Sequence, residues 1–421
     1  MIKKTLCLLL LASLGIVGTL SLQNTKVASH ISDISAGAQT APIDTAVVRR
    51  YKSYDYEETA ENMLKQVRLT IPEGITTVRG ILVFSNSAGG DSRNSYREAW
   101  FSEFLFMHDF AFIGTSGFTS HVESFQAMQH ALKQISKDSN HPELVDAPYA
   151  ATGFSAGGGF ASRLLVAAPE KVIATVPVCS RLNFTGMTPG TSHLATPACI
   201  ISGETEKLAA VVEPVLEAVR PRGALYGWMT VQNSGHTRCG QEVLAIPLLD
   251  AAVRLRYPSD GDVRKGPIKL KPLDPTGGWV ADNTTWKSGL TVIAPAKQFE
   301  GEVGKSSWLP TRDIAFIYRA YSTYDRPLTI TSPSASQSGQ RVWNPGANIS
   351  ITVDDTKFAG WQKLEFYDGA QKLGEITRGP AQFTAKNLTT GFHVFSVLGY
   401  GPEGNMRPSN PVLAIVRALP G

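Results

Sequence analysis

The chain is poor in the features that mark a metalloprotein, a nucleic-acid binder or a membrane span. Its 421 residues hold four cysteines, Cys7, Cys179, Cys199 and Cys239, and no pair has metal-ligand spacing. Lys and Arg outnumber Asp and Glu by 40 to 36, a formal net charge of +4. Without long basic runs, that excess leaves no footprint for nucleic acid. The aromatic residues are scattered rather than interleaved with basic clusters. The apolar stretch from Thr5 to Leu20 is roughly 16 residues long, short of the about 20 that a membrane span takes. Preceded by Lys3 and Lys4, it reads as a secretory signal, with Ala36-Gly-Ala38 or Val27-Ala-Ser29 as small-residue cleavage sites. The expectation is a bacterial protein exported to the periplasm or beyond, with no stable membrane insertion once the signal is removed. Residues 1–38 are then leader.

Loss of Cys7 leaves three cysteines, so an exported chain has at most one internal bridge and one lone thiol. Cys179 ends an apolar run and Cys239 follows a glycine-flanked histidine, whereas Cys199 lies inside an apolar run. A Cys179–Cys239 bridge and free buried thiols both fit this placement.

What the chain does carry is Gly153-Phe154-Ser155-Ala156-Gly157, entered by a short apolar run and left by a small-residue, helix-compatible one. G-x-S-x-G between a strand and a helix is the nucleophile-elbow pattern. The turn forces its serine to positive φ, so the flanking positions must be nearly free of side chain. An acid and a histidine must then follow. Thr196–Gly203 reads as a buried strand with Glu204-Thr-Glu206 at its end, and Leu225–Val231 as another, followed by Gln-Asn-Ser-Gly-His236. The order Ser, acid, His is the one this elbow requires. Each candidate falls just after a strand, at the sheet edge where open α/β sheets bind ligands.

Upstream, Val67–Ile71, Gly80–Ser85 and Phe110–Gly114 read as strands. Ser95–His108 and Glu123–Lys137 read as helices, the second with Phe125, Met128, Ala131, Leu132 and Ile135 on one face. Strands alternating with helices predict a doubly wound, mostly parallel sheet. Leu208–Val219 adds a helix that Pro214 should kink or split, and Gln241–Arg256 a last one. Residues from about 45 to 256 resemble an α/β-hydrolase.

That resemblance implies a Ser nucleophile, a His base and an acidic orienter. The acid usually lies three residues past the turn glycine, which is Glu206 counting from Gly203; Glu204 is the alternative. Of the eight histidines, His236 alone has the right order and a flexible lead-in. His193 precedes the acid strand, His393 lies in the C-terminal part, and His30, His108, His121, His130 and His141 read as surface residues. The oxyanion hole is expected to use the N–H of Ala156 and a second donor in Asn86-Ser-Ala-Gly-Gly-Asp91, either Ser87 or Ala88.

After Arg256 the composition changes. Residues 257–326 are Pro- and Lys-rich at first and then carry Trp279, Trp286 and Trp308, read as an extension packed on the hydrolase. From Pro327 short alternating strands separated by turn residues fit a small all-β sandwich. Lys363-Leu-Glu-Phe-Tyr-Asp-Gly-Ala-Gln-Lys-Leu-Gly374 resembles the bacterial Ig-like modules appended to secreted hydrolases. With no exposed aromatic row, a spacer is the expected role. The expected domains are therefore 39–256, 257–326 and 327–421.

Together these features point to a serine carboxylic-ester hydrolase that works through an acyl-enzyme and needs neither metal nor organic cofactor. Its partner is an ester substrate: acetyl or feruloyl esters on polysaccharide, or polyesters. The same machinery fits a serine peptidase, and a catalytically silent binding or adhesion protein on a hydrolase scaffold is the alternative from another class. Nothing in the sequence sets an oligomeric state.

Overall fold

The computed structural model describes residues 49–182 and 191–417; the signal and its cleavage sites lie outside them. The described residues belong to one compact unit. Among them no helix is long and apolar enough to cross a membrane.

Eight strands build the main sheet: β1 (Tyr51–Ala60), β2 (Met63–Pro72), β3 (Gly80–Ser85), β4 (Phe110–Ser116), β5 (Tyr149–Phe154), β6 (Val172–Val178), β7 (Ala198–Gly203) and β8 (Tyr226–Val231). Their order is β1-β2-β4-β3-β5-β6-β7-β8. From β4 to β8 all neighbours are parallel, while β1–β2 and β2–β4 pair antiparallel. Strands β3, β5, β6, β7 and β8 are almost wholly buried and read as unbroken apolar or small-residue runs. Helices on both faces of a parallel sheet demand that composition.

The helices are α1 (Ala99–His108), α2 (Val122–Asp138), α3 (Ala156–Ala167), α4 (Ala209–Val219) and α5 (Glu242–Arg256). α2 buries Met128, Ala131, Leu132 and Ile135, the stripe its periodicity predicts, with Phe125 half-buried beside it. α4 runs through Pro214 without being split in two. A proline this close to a helix start removes an N–H whose bond would reach only into the first turn. His108 is also not a surface residue: it is buried, with Nε2 2.8 Å from Asp250 Oδ1 on α5.

Beyond α5, strands Trp279–Asp282, Ile293–Pro295 and Ser306–Leu309 form a small antiparallel sheet, followed by α6 (Arg312–Ser322). Trp308 is buried and donates its indole N–H to the Pro275 carbonyl, while Trp279 is half-buried against the main core. Trp286 is half-buried too, in ring contact with Tyr324. The C-terminal region is a sandwich. Thr329–Ser332, Ala347–Asp354 and Gln382–Leu388 make one sheet; Val342–Trp343, Val412–Val416, Gly391–Tyr400, Lys363–Asp368 and Gln371–Ile376 make the other.

The sandwich does not stand clear of the rest, as a spacer would. Along Val412–Val416, Val412, Ala414 and Val416 enter the sandwich's own core, whereas Leu413 and Ile415 join the core around the main sheet together with Val394. Phe392 stacks on Phe104 of α1 with ring centroids 6.3 Å apart, and Asp313 of α6 accepts the Ala370 N–H at 3.0 Å.

Candidate active site

Three loops at the carboxyl ends of β5, β7 and β8 carry the site. Ser155 sits between β5 and α3 with φ 57° and ψ −117°. The turn closes only because its flanks lack side chains. A Cβ on Gly153 would come within 2.2 Å of the Gly157 carbonyl oxygen, and one on Gly157 within 2.0 Å of the Ser85 carbonyl oxygen. The second contact presses the elbow against the end of β3, so the β3 loop and the first turn of α3 face one another. The Ser155 N–H donates to the Val178 carbonyl at 2.8 Å, tying the turn to β6.

His236 Nε2 lies 2.8 Å from Ser155 Oγ, and His236 Nδ1 hydrogen-bonds Glu206 Oε1. The other carboxylate oxygen, Oε2, accepts the Gly203 N–H at 3.1 Å. The Glu206 side chain is 7% exposed and that of His236 54%, so the carboxylate is enclosed while the imidazole edge meets solvent. Glu204 does not reach the imidazole. Its Oε2 accepts the Asn233 N–H at 3.1 Å, and Thr205 N–H donates to the Ser234 carbonyl at 3.0 Å. Both bonds clasp the acid loop to the loop bearing His236.

Of the oxyanion candidates, Ala156 opens α3, and a first-turn N–H has no intrahelical acceptor. In the facing loop the Ser87 N–H donates to its neighbour's Asn86 Oδ1 at 2.8 Å. Ala88 is exposed on the same loop.

Residues that the sequence reading passed over complete the surroundings. The Phe154 ring lies 5.0 Å from the His236 ring. Arg238 binds Glu98, just before α1, through two hydrogen bonds of 3.1 and 2.9 Å, and its guanidinium lies over Phe84 and Trp100. Tyr321 of α6 donates its hydroxyl to the Cys239 carbonyl. Arg238 and Glu98 are 140 residues apart, and no local pattern joins them. Phe154 was within reach of sequence reasoning, since the residue before an elbow serine must border the site.

Cys179, Cys199 and Cys239 are free and buried. The Sγ atoms of Cys179 and Cys239 are 3.6 Å apart, and Cys179 Sγ also lies 2.9 Å from the Thr237 carbonyl oxygen. Hydrogen bonding to Cys239, then burial and the nearby Glu206 carboxyl, push the Cys179 thiol upward. Cys239 accepts hydrogen bonds, first from Cys179 and then from Ser234 and Thr237, and its thiol is held below the ordinary range despite burial.

No protein-family model matches the chain, and no curated protein does. Solved structures align over parts of it. LpqC, a poly(3-hydroxybutyrate) depolymerase from Bordetella parapertussis, is 16% identical with a TM-score of 0.36 over 52% of this chain and 94% of its own. A feruloyl esterase module from Clostridium thermocellum is 11% identical with a TM-score of 0.35 over 48% of this chain and 87% of its own. The fibronectin(III)-like modules of Clostridium thermocellum CbhA are 21% identical with a TM-score of 0.20 over 22% of this chain, which spans only 46% of that structure. These overlaps are partial, and the fold is read from the chain itself. With the strand order β1-β2-β4-β3-β5-β6-β7-β8, helices between its parallel strands and an elbow serine after β5, residues 51–256 have the α/β-hydrolase fold.

Proposed function

We propose that the protein is an exported serine carboxylic-ester hydrolase in which Ser155, His236 and Glu206 act as nucleophile, general base and orienting acid. The observation that carries this reading is the unbroken hydrogen-bonded row from Ser155 Oγ through both ring nitrogens of His236 to Glu206. In that row Nε2 takes the Ser155 proton as Oγ attacks an ester carbonyl, and Glu206 holds the tautomer and stabilises the imidazolium. The developing oxyanion lies against the Ala156 N–H and a second donor from the 86–89 loop. Collapse expels the alcohol, protonated by His236, and leaves an acyl group on Ser155. Water activated by the same imidazole then releases the acid. No step calls for a metal or an organic cofactor.

Turnover of chromogenic acetyl and butyryl esters by the wild type and by Ser155→Ala tests this. A loss of roughly 10³-fold or more in kcat is expected; equal turnover by the two proteins would overturn it. A panel spanning acetyl, feruloyl and long-chain esters then sets the substrate class.

A further inference from the structure

β6 ends at the catalytic edge of the sheet, and the loop after His236 folds back onto it. The fold thereby brings together two thiols that are 60 residues apart in sequence. Cys179 is 4% and Cys239 8% exposed, with Sγ atoms 3.6 Å apart. Their surroundings belong to the site. Cys179 Sγ lies 2.9 Å from the Thr237 carbonyl oxygen and 3.8 Å from that of Gly235, the two residues flanking His236. It also lies within 4.8 Å of ligand-type atoms on both Glu206 and His236. Cys239 Sγ is 3.4 Å from Ser234 Oγ and 3.8 Å from the same Gly235 carbonyl. Cys199 is different: it lies in the interior of β7, fully buried, facing Gly227 of β8.

We propose that Cys179 and Cys239 close into a disulfide that fastens the His236 loop to the end of β6, making the firmness with which His236 is held depend on the thiol–disulfide state. The proposal rests on the assignment of His236 as the general base. An approach of about 1.5 Å separates the present contact from the bond length of a disulfide, a shift that side-chain rotation can supply. The oxidant is a low-molecular-weight disulfide, R–S–S–R. Cys239 is the attacking group: as thiolate, its proton lost to solvent, it displaces R–S⁻ to form a mixed disulfide. Cys179 then loses its proton and attacks Sγ of Cys239, expelling the second R–S⁻. Two protein thiols are oxidised and one small disulfide is reduced to two R–SH.

Closing the bridge replaces the Sγ contacts to the Thr237 and Gly235 carbonyls with a covalent tie on the far side of the same loop. Reduction leaves the loop to hydrogen bonds with Glu204, Thr205 and the Tyr321 hydroxyl and to the Arg238–Glu98 pair. Cys179 and Cys239 are thus positioning residues, and their redox state should move kcat more than KM.

The test uses the full chain, incubated with oxidised glutathione or with a dithiol, and separately refolded in a glutathione redox mixture. The titratable thiol count is expected to fall by two, with a cross-linked peptide joining Cys179 to Cys239. The bridged form should melt roughly 5 °C higher. Its kcat on a short-chain ester should be about two- to fivefold higher with KM unchanged, since small displacements of a catalytic group are costly. Cys179→Ser and Cys239→Ser should each lose all these responses, and Cys199→Ser should keep them. An unchanged thiol count under both treatments would overturn the proposal, as would a bridge that leaves kcat unmoved. If Ser155→Ala proves as active as the wild type, the functional reading fails separately, because thiol count, cross-link and melting temperature do not depend on turnover.

Discussion

Removing the sandwich should unfold or badly weaken the α/β-hydrolase fold, although Ser155, Glu206 and His236 all precede it. Val394, Leu413 and Ile415 are 2%, 1% and 0% exposed and belong to the hydrolase core. At about 1.5–3 kcal/mol for each fully buried aliphatic side chain, the three contribute on the order of 5–9 kcal/mol, an upper figure because unfolded chains also bury some surface. A domain's whole stability is typically about 5–15 kcal/mol. Deletion of residues 327–421 would also strip cover from Phe104 and from Trp100, whose ring lies 2.5 Å from where a Cβ on Gly339 would stand. The milder perturbation is Leu413→Ala, expected to cost about 2–5 kcal/mol. Urea unfolding followed by tryptophan fluorescence, with soluble yield and short-chain ester turnover alongside, measures both. A truncated protein with the wild-type midpoint, or Leu413→Ala within about 0.5 kcal/mol of wild type, would refute the shared-core argument.

Other perturbations follow from single residues. Burial pushes the Glu242 carboxyl up to about 7 from 4.5, so the fold favours its neutral form. Its contribution is full below pH 4.5 and lost as pH rises through 7; Glu242→Gln should therefore stabilise by about 2 kcal/mol at pH 8, allowing for partial exposure, and by little at pH 4.5. Equal effects at both pH values in denaturant titrations would contradict this. At His393 burial opposes the charge, but the hydrogen bond and attraction to Asp368 outweigh it and raise the imidazole above its ordinary value. That stabilisation is complete below about pH 6.5 and fades as pH climbs through the folded value, so His393→Gln should lower the melting temperature more at pH 5.5 than at pH 9. Gly157→Ala drives a methyl into the Ser85 carbonyl and should abolish ester turnover by displacing the elbow, even where circular dichroism shows the protein folded.

How much was legible in the sequence differed by element. The buried parallel strands were legible because helices on both faces force continuous apolar runs, which Gly80–Ser85 and Ala198–Gly203 display. β1 was not: its sequence, YKSYDYEETA, lies at the sheet edge with alternating exposed residues and little apolar content. His108 read as exposed because a histidine ending a helix gives no sign of a partner 142 residues away. The sandwich's attachment was written in the sequence and overlooked. Val412-Leu-Ala-Ile-Val416 lacks the alternation of a strand with one wet face, and such a run means that both faces are covered. The spacing of Ser155, Glu206 and His236 identified loops that the fold brings to one edge. The Arg238–Glu98 brace and the contact between Cys179 and the loop flanking His236 depend on distant segments meeting, which no local pattern carries.

Covalent labelling of the folded, full-length protein with a fluorophosphonate probe, followed by peptide mapping, shows whether Ser155 is an activated nucleophile. One adduct is expected, on the peptide bearing Ser155, absent in Ser155→Ala and slowed by roughly 10³-fold or more in His236→Ala. A folded protein that takes up no label, or one labelled equally well without Ser155 or His236, would contradict the proposed roles of Ser155 and His236.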